Sequence, residues 1–191
     1  MNTTLKSACV AVALLLPSAA MSAPLTLTPA NPQPSAGNLT PGLAVNYALR
    51  NHGRSLVDAA RVLKKGKPGT PLRGLSYEDT KDGENVLTTE HSEKIAAAIS
   101  GYIKFPASGS YVLEFLSNDG LKIVIGEQEV GLYDGVHACG YVGEQEVTVP
   151  QAGYYTLDAI YFQRKGSACL LMEWGPDSDG LEQVPDSAFF H

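Results

Sequence analysis

Hydrophobic and polar residues alternate with a period of two along much of the chain, which is the pattern of half-buried β-strands. The alternation is clearest over 111–130, where two strand-like runs flank the polar segment 117–120. Asn118 and Asp119 in that segment are residue types that suit tight turns. They are also types that bind ligands and hard cations. The sequence therefore leaves two interpretations open, a hairpin turn or a loop that presents an amide and a carboxylate.

Further strand-like runs follow one another at short intervals, separated by turns that contain glycine or proline. The run 95–105 is ambiguous, because three consecutive alanines favour a helix while Tyr102, Ile103 and Phe105 favour a strand. We predict a strand there, since a turn at Pro106 and Gly109 follows. The other predicted strands are 43–47, 75–77, 86–88, 141–149, 154–162 and 168–174.

The segment 55–64 has helical periodicity, with apolar residues at Leu56, Ala59, Ala60 and Leu63. Ser55 and Asp58 have the spacing of a capping box, and Gly66 ends the helix. The apolar stripe is narrow, so the helix should pack on the outside of a sheet. The predicted fold is all-β, an antiparallel β-sandwich with one short peripheral helix near 55–64.

The start of the chain predicts export. Residues 1–22 combine a basic residue, an apolar stretch too short to span a bilayer, and small residues suited to cleavage, which is the pattern of a signal peptide. The Pro-, Thr- and Ser-rich segment 23–40 predicts a flexible linker, and 41–191 a single domain. Because no transmembrane segment is predicted, we expect a periplasmic or secreted protein.

The charge argues against one class of partner. The chain has 191 residues, a formal net charge of −6 and a pI of about 5.1. A nucleic-acid-binding protein would instead carry a basic surface. We therefore expect no nucleic-acid partner.

Two cysteines follow the predicted signal peptide, Cys139 and Cys169. In an exported protein such a pair predicts a disulfide. The alternative is a metal site that includes His137, although the spacing of a thiolate zinc site is absent from the sequence.

Three motifs carry a resemblance to a known family. They are GYIKF followed by SGSY, the loop SNDG, and the closing run ACLLMEW. Together they resemble the protective-antigen (PA14) domain, a lectin-like β-sandwich, over about 41–191. The resemblance implies a carbohydrate-binding or adhesive module whose partner is a glycan or another cell-surface component. It does not imply an enzyme.

The resemblance also implies a metal site. In sugar-binding members, two adjacent aspartates in this loop bind calcium, which is shared with the sugar. The matching residues here are Asn118 and Asp119, so an amide stands where one carboxylate is expected. A further ligand would come from Gln163, beside the cationic Arg164. Calcium is thus the implied cofactor, at a site with one charge fewer.

Other residues have two interpretations each. Tyr133 and Tyr141 flank turns and are candidates for stacking on sugars, and Asp134 is a ligand or a turn residue. Trp174 is predicted to pack in the core, with sugar stacking as the alternative. The loop 175–180, with its two aspartates, is a candidate second wall of the site.

No catalytic motif stands out in the sequence. Glu114 and Asp119 could form the carboxylate pair of a glycosidase, but the alternation of residues predicts that Glu114 points into solvent. We therefore predict no enzyme. The leading hypothesis is an exported glycan-binding module, and the alternative is a structural or protein-interaction module of the cell envelope.

Overall fold

The structure, a computed structural model, describes residues 24–49 and 53–191. This part of the chain forms two sheets and one α-helix, which confirms the predicted β-sandwich with a peripheral helix. The strands are β1 (Leu25–Thr26), β2 (Ala44–Leu49), β3 (Lys67–Pro68), β4 (Ser76–Tyr77), β5 (Ile95–Phe105), β6 (Gly109–Asn118), β7 (Gly120–Ile125), β8 (Gln128–Tyr133), β9 (Gly140–Val149), β10 (Gly153–Gln163), β11 (Cys169–Gly175), β12 (Glu182–Gln183) and β13 (Phe189–Phe190).

The two sheets have distinct strand orders. The first runs β1-β9-β6-β11-β12, with β4 also paired to β11, and the second runs β3-β2-β5-β10-β7-β8, with β13 also paired to β5. All pairs in these orders are antiparallel except the parallel pair of β1 and β9. The ambiguous run 95–105 is a strand of eleven residues in the middle of the second sheet.

The core lies between the sheets and uses the inward-facing residues of the alternating runs. On β6, for example, Leu113 and Phe115 are fully buried, as are Leu170 and Met172 on the neighbouring β11. The second sheet contributes a matching set of buried residues from its central strands, including Ile99, Ile103, Ile123, Ile125, Tyr155, Leu157 and Tyr161.

Helix α1 (Leu56–Leu63) packs on the outer face of the second sheet, as its narrow apolar stripe predicted. Leu56 and Ala59 are buried there in a small cluster with Ala96 and Phe162. At the N-terminus, the Ser55 hydroxyl accepts the N–H of Asp58 at 3.2 Å, so the predicted cap forms.

The segment 23–40, predicted to be a flexible linker, lies against the sandwich from residue 24 onwards. Leu25 and Thr26 pair with β9, and the following Leu27 is buried. The Gln33 side chain accepts the N–H of Tyr154 at 2.8 Å and donates to the carbonyl of the same residue at 2.9 Å. These contacts attach a segment whose composition alone is typical of a linker.

The predicted signal peptide, 1–22, lies outside the described residues. Within 24–49 and 53–191, no helix is long and apolar enough to cross a membrane.

The structure contradicts one predicted strand and one of the two interpretations of 117–120. Residues 86–88 form a turn rather than a strand, with the N–H of Thr89 donating to the carbonyl of Val86, while the Val86 side chain is buried in the core. Segment 117–120 is not a hairpin, because β6 and β7 lie in different sheets and do not pair with each other. Asp119, the single residue between these strands, carries the chain from one sheet to the other.

Candidate ligand-binding site at one end of the sandwich

Three crossovers between the sheets meet at one end of the sandwich. They are the β6–β7 crossover at Asp119, the β8–β9 crossover over 134–139, and the β10–β11 crossover over 164–168. The carboxylate of Asp119 joins them: Oδ1 accepts the N–H of His137 at 3.2 Å and Oδ2 accepts the N–H of Arg164 at 2.5 Å. We call this region the crossover end.

The main chain of Asp119 makes further bonds to the same segments. Its N–H donates to the carbonyl of Phe162 at 2.8 Å. Its carbonyl accepts the Ser117 hydroxyl at 2.7 Å and lies 2.9 Å from Nε2 of His137. The side chain is only 2% exposed. Asp119 is therefore a buried structural link as well as a candidate ligand.

Asn118 occupies the neighbouring position, and the peptide bond between the two residues is cis. Its side chain is 4% exposed, and Nδ2 donates to the hydroxyl of Ser167 at 3.2 Å. Oδ1 is buried and accepts no hydrogen bond from any described residue. Because a buried oxygen without a donor is unfavourable, this atom can accept a hydrogen bond from a ligand or coordinate a cation.

The main-chain carbonyl of Asn118 is held from the opposite sheet. It accepts the phenol O–H of Tyr161 at 2.5 Å. Burial raises the pKa of Tyr161 well above 10, so this phenol stays protonated and acts as a donor at physiological pH. The bond fixes the backbone that positions Oδ1.

Gln163 lies beside these residues but is fully buried. Its Oε1 accepts the N–H of Lys94 at 3.1 Å, and its Nε2 donates to the carbonyls of Gly166 and Ser167, each at 3.2 Å. It thereby shapes the crossover that holds Ser167, the partner of Asn118. A direct contact between Gln163 and a ligand would have to replace one of these bonds.

The three remaining predicted site residues have different surroundings. Tyr133 stacks on the ring of His137, with centroids 3.9 Å apart, and so belongs to the crossover end. Asp134 accepts the N–H of Leu56 at 2.6 Å and caps helix α1. Tyr141, opposite Leu116 in the first sheet, is 68% exposed and available for stacking.

The predicted disulfide is present. Cys139, on the β8–β9 crossover, and Cys169, the first residue of β11, are bonded across a separation of 30 residues. Asp79 lies close to both sulfurs, but because the sulfurs are bonded to each other they do not form a thiolate metal site. The bond joins the β8–β9 crossover to the start of β11, next to Asn118, which pairs with Cys169 in the sheet.

The aspartates of loop 175–180 lie elsewhere. Asn118 pairs with the first residue of β11, whereas Asp177 and Asp179 follow its last residue, Gly175. They are consequently at the opposite end of the sandwich, and their predicted role as a second wall of this site is wrong.

Glu114 also departs from its prediction, since it is only 6% exposed. It lies on β6 directly between Glu144 on β9 and Glu173 on β11. Burial raises the pKa of Glu114 to about 7, and the hydrogen bond and charge of Glu144 and the charge of Glu173 add to this rise. Alternation predicts that Glu114 lies on the outer face, but its position between Glu144 and Glu173 follows only from the strand pairing.

This row of carboxylates predicts a pH dependence of stability. Glu114 binds its proton more tightly in the folded than in the unfolded protein, so stability should fall as the pH rises from about 4.5 to about 7. Replacing Glu114 by Gln should therefore raise the free energy of unfolding at pH 8 by about 1–3 kcal/mol and change it little at pH 4. Urea unfolding across this pH range measures it. Glu146→Gln, on the same strand as Glu144 but opposite Val112, is the matched control; equal effects of both variants would contradict the assignment.

Two features of the candidate site were not predicted from the sequence. Ser167 holds the amide of Asn118, and the N–H groups of His137 and Arg164 hold Asp119. The first is an ordinary serine in a turn, and the others are main-chain groups, which residue types do not reveal.

Comparison with known proteins gives one family and several structures. A family model described as PA14 domain matches residues 76–188. Among the curated proteins, no sequence matches the chain. The PA14 domain of MpAFP antifreeze protein has a TM-score of 0.68 at 16% identity and covers 84% of this chain and 96% of that one.

Two further structures have names that mention sugars. The PA14 sugar-binding domain of an RTX adhesin has a TM-score of 0.64 at 16% identity, covering 80% of this chain and 99% of that one. The A domain of epithelial adhesin 9 from Candida glabrata, in complex with Galβ1-3GlcNAc, has a TM-score of 0.63 at 12% identity, covering 87% and 95%. At these identities the likeness establishes the shared fold.

Proposed function

The chain belongs to the PA14 domain family, and on that premise we propose that it is a non-catalytic module that binds glycans at the crossover end. The observation that carries this proposal is Oδ1 of Asn118, a buried acceptor to which no described residue donates. A sugar hydroxyl or a cation that a sugar shares would complete it. The neighbouring structures named as sugar-binding or solved with a glycan support the same class of ligand.

Calcium is the cation that suits this position best. Asn118 would hold it through Oδ1 and Asp119 through its carboxylate, since calcium takes oxygen ligands from amides and carboxylates. When bound, it would supply open coordination positions for sugar hydroxyls. The protein's own contribution is to fix both side chains through Ser167, His137 and Arg164. With one carboxylate in the pair, the affinity should be modest.

We further propose that the protein acts outside the cytoplasm. The disulfide between Cys139 and Cys169 supports this, because such bonds persist in oxidising compartments. The predicted signal peptide, 1–22, points the same way, and periplasmic and secreted locations both fit.

The test strengthens or removes the proposed calcium ligand at position 118. Asn118→Asp should tighten calcium binding about tenfold or more, because it adds a carboxylate to the pair, and Asn118→Ala should weaken it. Calcium titration followed by calorimetry and by the melting temperature measures the ion. Binding to immobilised lactose and Galβ1-3GlcNAc, with calcium or with chelator, measures the glycan.

Asn38→Asp is the control, because it adds the same charge at an exposed position on another part of the surface. If Asn118→Asp binds calcium no better than Asn38→Asp, the ion part of the proposal fails. If Asn118→Ala leaves glycan binding intact, the crossover end is not the sugar site.

A second function has its own support. The carboxylate of Asp119 and the amide of Gln163 are both engaged by main-chain groups of the protein, as expected for a structural or protein-interaction module without a sugar site. Absence of both calcium and glycan binding in the natural chain would favour this alternative.

A further inference from the structure

A groove lies at the end of the sandwich opposite Asn118. It is formed by the β5–β6 turn and the segment that follows β11, and it has a volume of about 400 Å³. β6 separates the two ends, since Gly109 begins this strand and Asn118 ends it. At about 3.3 Å per residue, the groove lies about 30 Å from Asn118. We call it the Trp174 groove.

Its apolar wall consists of aromatic rings. Trp174 and Tyr111 both line the groove, with ring centroids 5.9 Å apart. Behind them, Phe105 is fully buried and lies 5.4 Å from Trp174 and 5.1 Å from Tyr111. Packing on Phe105 holds both rings in place while each stays partly exposed. Trp174 thus packs against the core, as predicted, and still offers ring surface.

Polar groups surround these rings. Ser108, Ser110 and Glu182 line the same groove and are exposed. Their side chains, and the indole N–H of Trp174, make no hydrogen bond or ion pair with any other residue in the described part of the chain. The groove therefore combines aromatic surface with two hydroxyls, one N–H donor and one carboxylate acceptor, all available to a ligand.

We propose that the Trp174 groove binds a neutral sugar ring, as a second glycan site separate from the crossover end. The apolar face of a sugar would lie against Trp174 and Tyr111. Its hydroxyls, which both donate and accept, would match the mixed set formed by the indole N–H, the serine hydroxyls and Glu182. An aromatic pocket with a few convergent polar groups is the general form of a small-molecule site.

The main competing ligand is a cationic side chain, which aromatic rings and a carboxylate also attract. The serine hydroxyls can donate or accept, but the indole N–H of Trp174 can only donate, and a cation cannot accept a hydrogen bond. The donor set therefore favours the sugar.

The chain offers a direct readout, because Trp174 is its only tryptophan. Its fluorescence reports on this groove and not on the crossover end. We expect a saturable change when glucose, galactose, mannose, N-acetylglucosamine or lactose is titrated into the mature protein at millimolar concentrations. Glu182→Gln, at an exposed residue, should weaken the binding of the sugar that gives this change about tenfold, since a hydrogen bond to a charged group is lost. Ser110→Ala should weaken it less.

Glu90→Gln is the control, because it removes the same charge from another exposed position. Asn118→Ala should leave the fluorescence response unchanged. Trp174→Phe, followed by calorimetry, keeps an aromatic ring but removes the N–H and should also weaken binding. These results together would support the site.

Three results would overturn it. One is the lack of a fluorescence response to any of these sugars. Another is a fluorescence response to hexalysine, a cationic probe, but to none of the sugars. If added salt abolished that response, the groove would be a cation site. The third is loss of the sugar response in Asn118→Ala, which would mean that the groove is not independent. If the groove responds while Asn118→Ala leaves total glycan binding unchanged, the proposal for the crossover end fails and this one stands.

Discussion

The substitution Asp119→Ala is expected to lower the free energy of unfolding by about 3–5 kcal/mol. The Asp119 carboxylate accepts the N–H groups of His137 and Arg164 in a buried setting. Its removal leaves both partly buried donors without that acceptor, and an unsatisfied buried donor costs about 1–3 kcal/mol. Urea unfolding at neutral pH measures the loss. Calcium binding, if the ion occupies this end, should disappear in the same variant.

Asp119→Asn separates the contribution of the negative charge from that of the side chain's shape and acceptor oxygen. An amide keeps the shape and one acceptor oxygen, so about half of the loss should remain. An Asp119→Ala protein that is as stable as the natural chain would contradict the view that this carboxylate joins the three crossovers. Asp158→Ala, which removes an acidic side chain from the middle of β10 in the second sheet, is a suitable comparison.

Removal of the disulfide should have an effect of similar size. The bond closes a loop across 30 residues, and cross-linking a loop of that length stabilises a protein by about 3–4 kcal/mol through the unfolded state. The Cys139→Ser/Cys169→Ser double variant should therefore melt at a clearly lower temperature. Differential scanning calorimetry of the two proteins measures the change.

The effect of this bond should extend to the candidate site. Cys139 lies two residues after His137, whose N–H holds Asp119, and Cys169 pairs with Asn118. Reduction of the natural chain with dithiothreitol should reproduce the shift of the double variant and should have no effect on that variant. A reductant effect that persists without the cysteines would contradict this assignment.

Residue alternation was sufficient to predict most of the longer strands and the sandwich. It succeeded because inward positions such as Leu113, Phe115 and Leu170 are buried by any partner sheet. The same pattern does not determine which strands pair. The hairpin interpretation of 117–120 is wrong for this reason, since two adjacent alternating runs look the same whether they share a sheet or not.

The candidate site could be predicted only in part from the sequence, for a related reason. The residue types drew attention to Asn118 and Asp119, and the structure gives them different roles, one with a buried oxygen lacking a donor and the other with a carboxylate already engaged. That difference depends on the main chain of His137 and Arg164, which lie on distant segments. Composition likewise suggested a linker over 23–40, although Leu27 is buried against the sandwich.

The edges of the sheets bear on how this protein behaves at high concentration. In the described part of the chain, five short strands at the sheet edges contain two residues each: β1, β3, β4, β12 and β13. β8, also at an edge, is longer, but its pairing with β7 is irregular and its Glu129 forms an ion pair with Lys122. Short, irregular and charged edges give a foreign strand little to pair with. Edge-to-edge pairing of folded copies through these strands is therefore disfavoured.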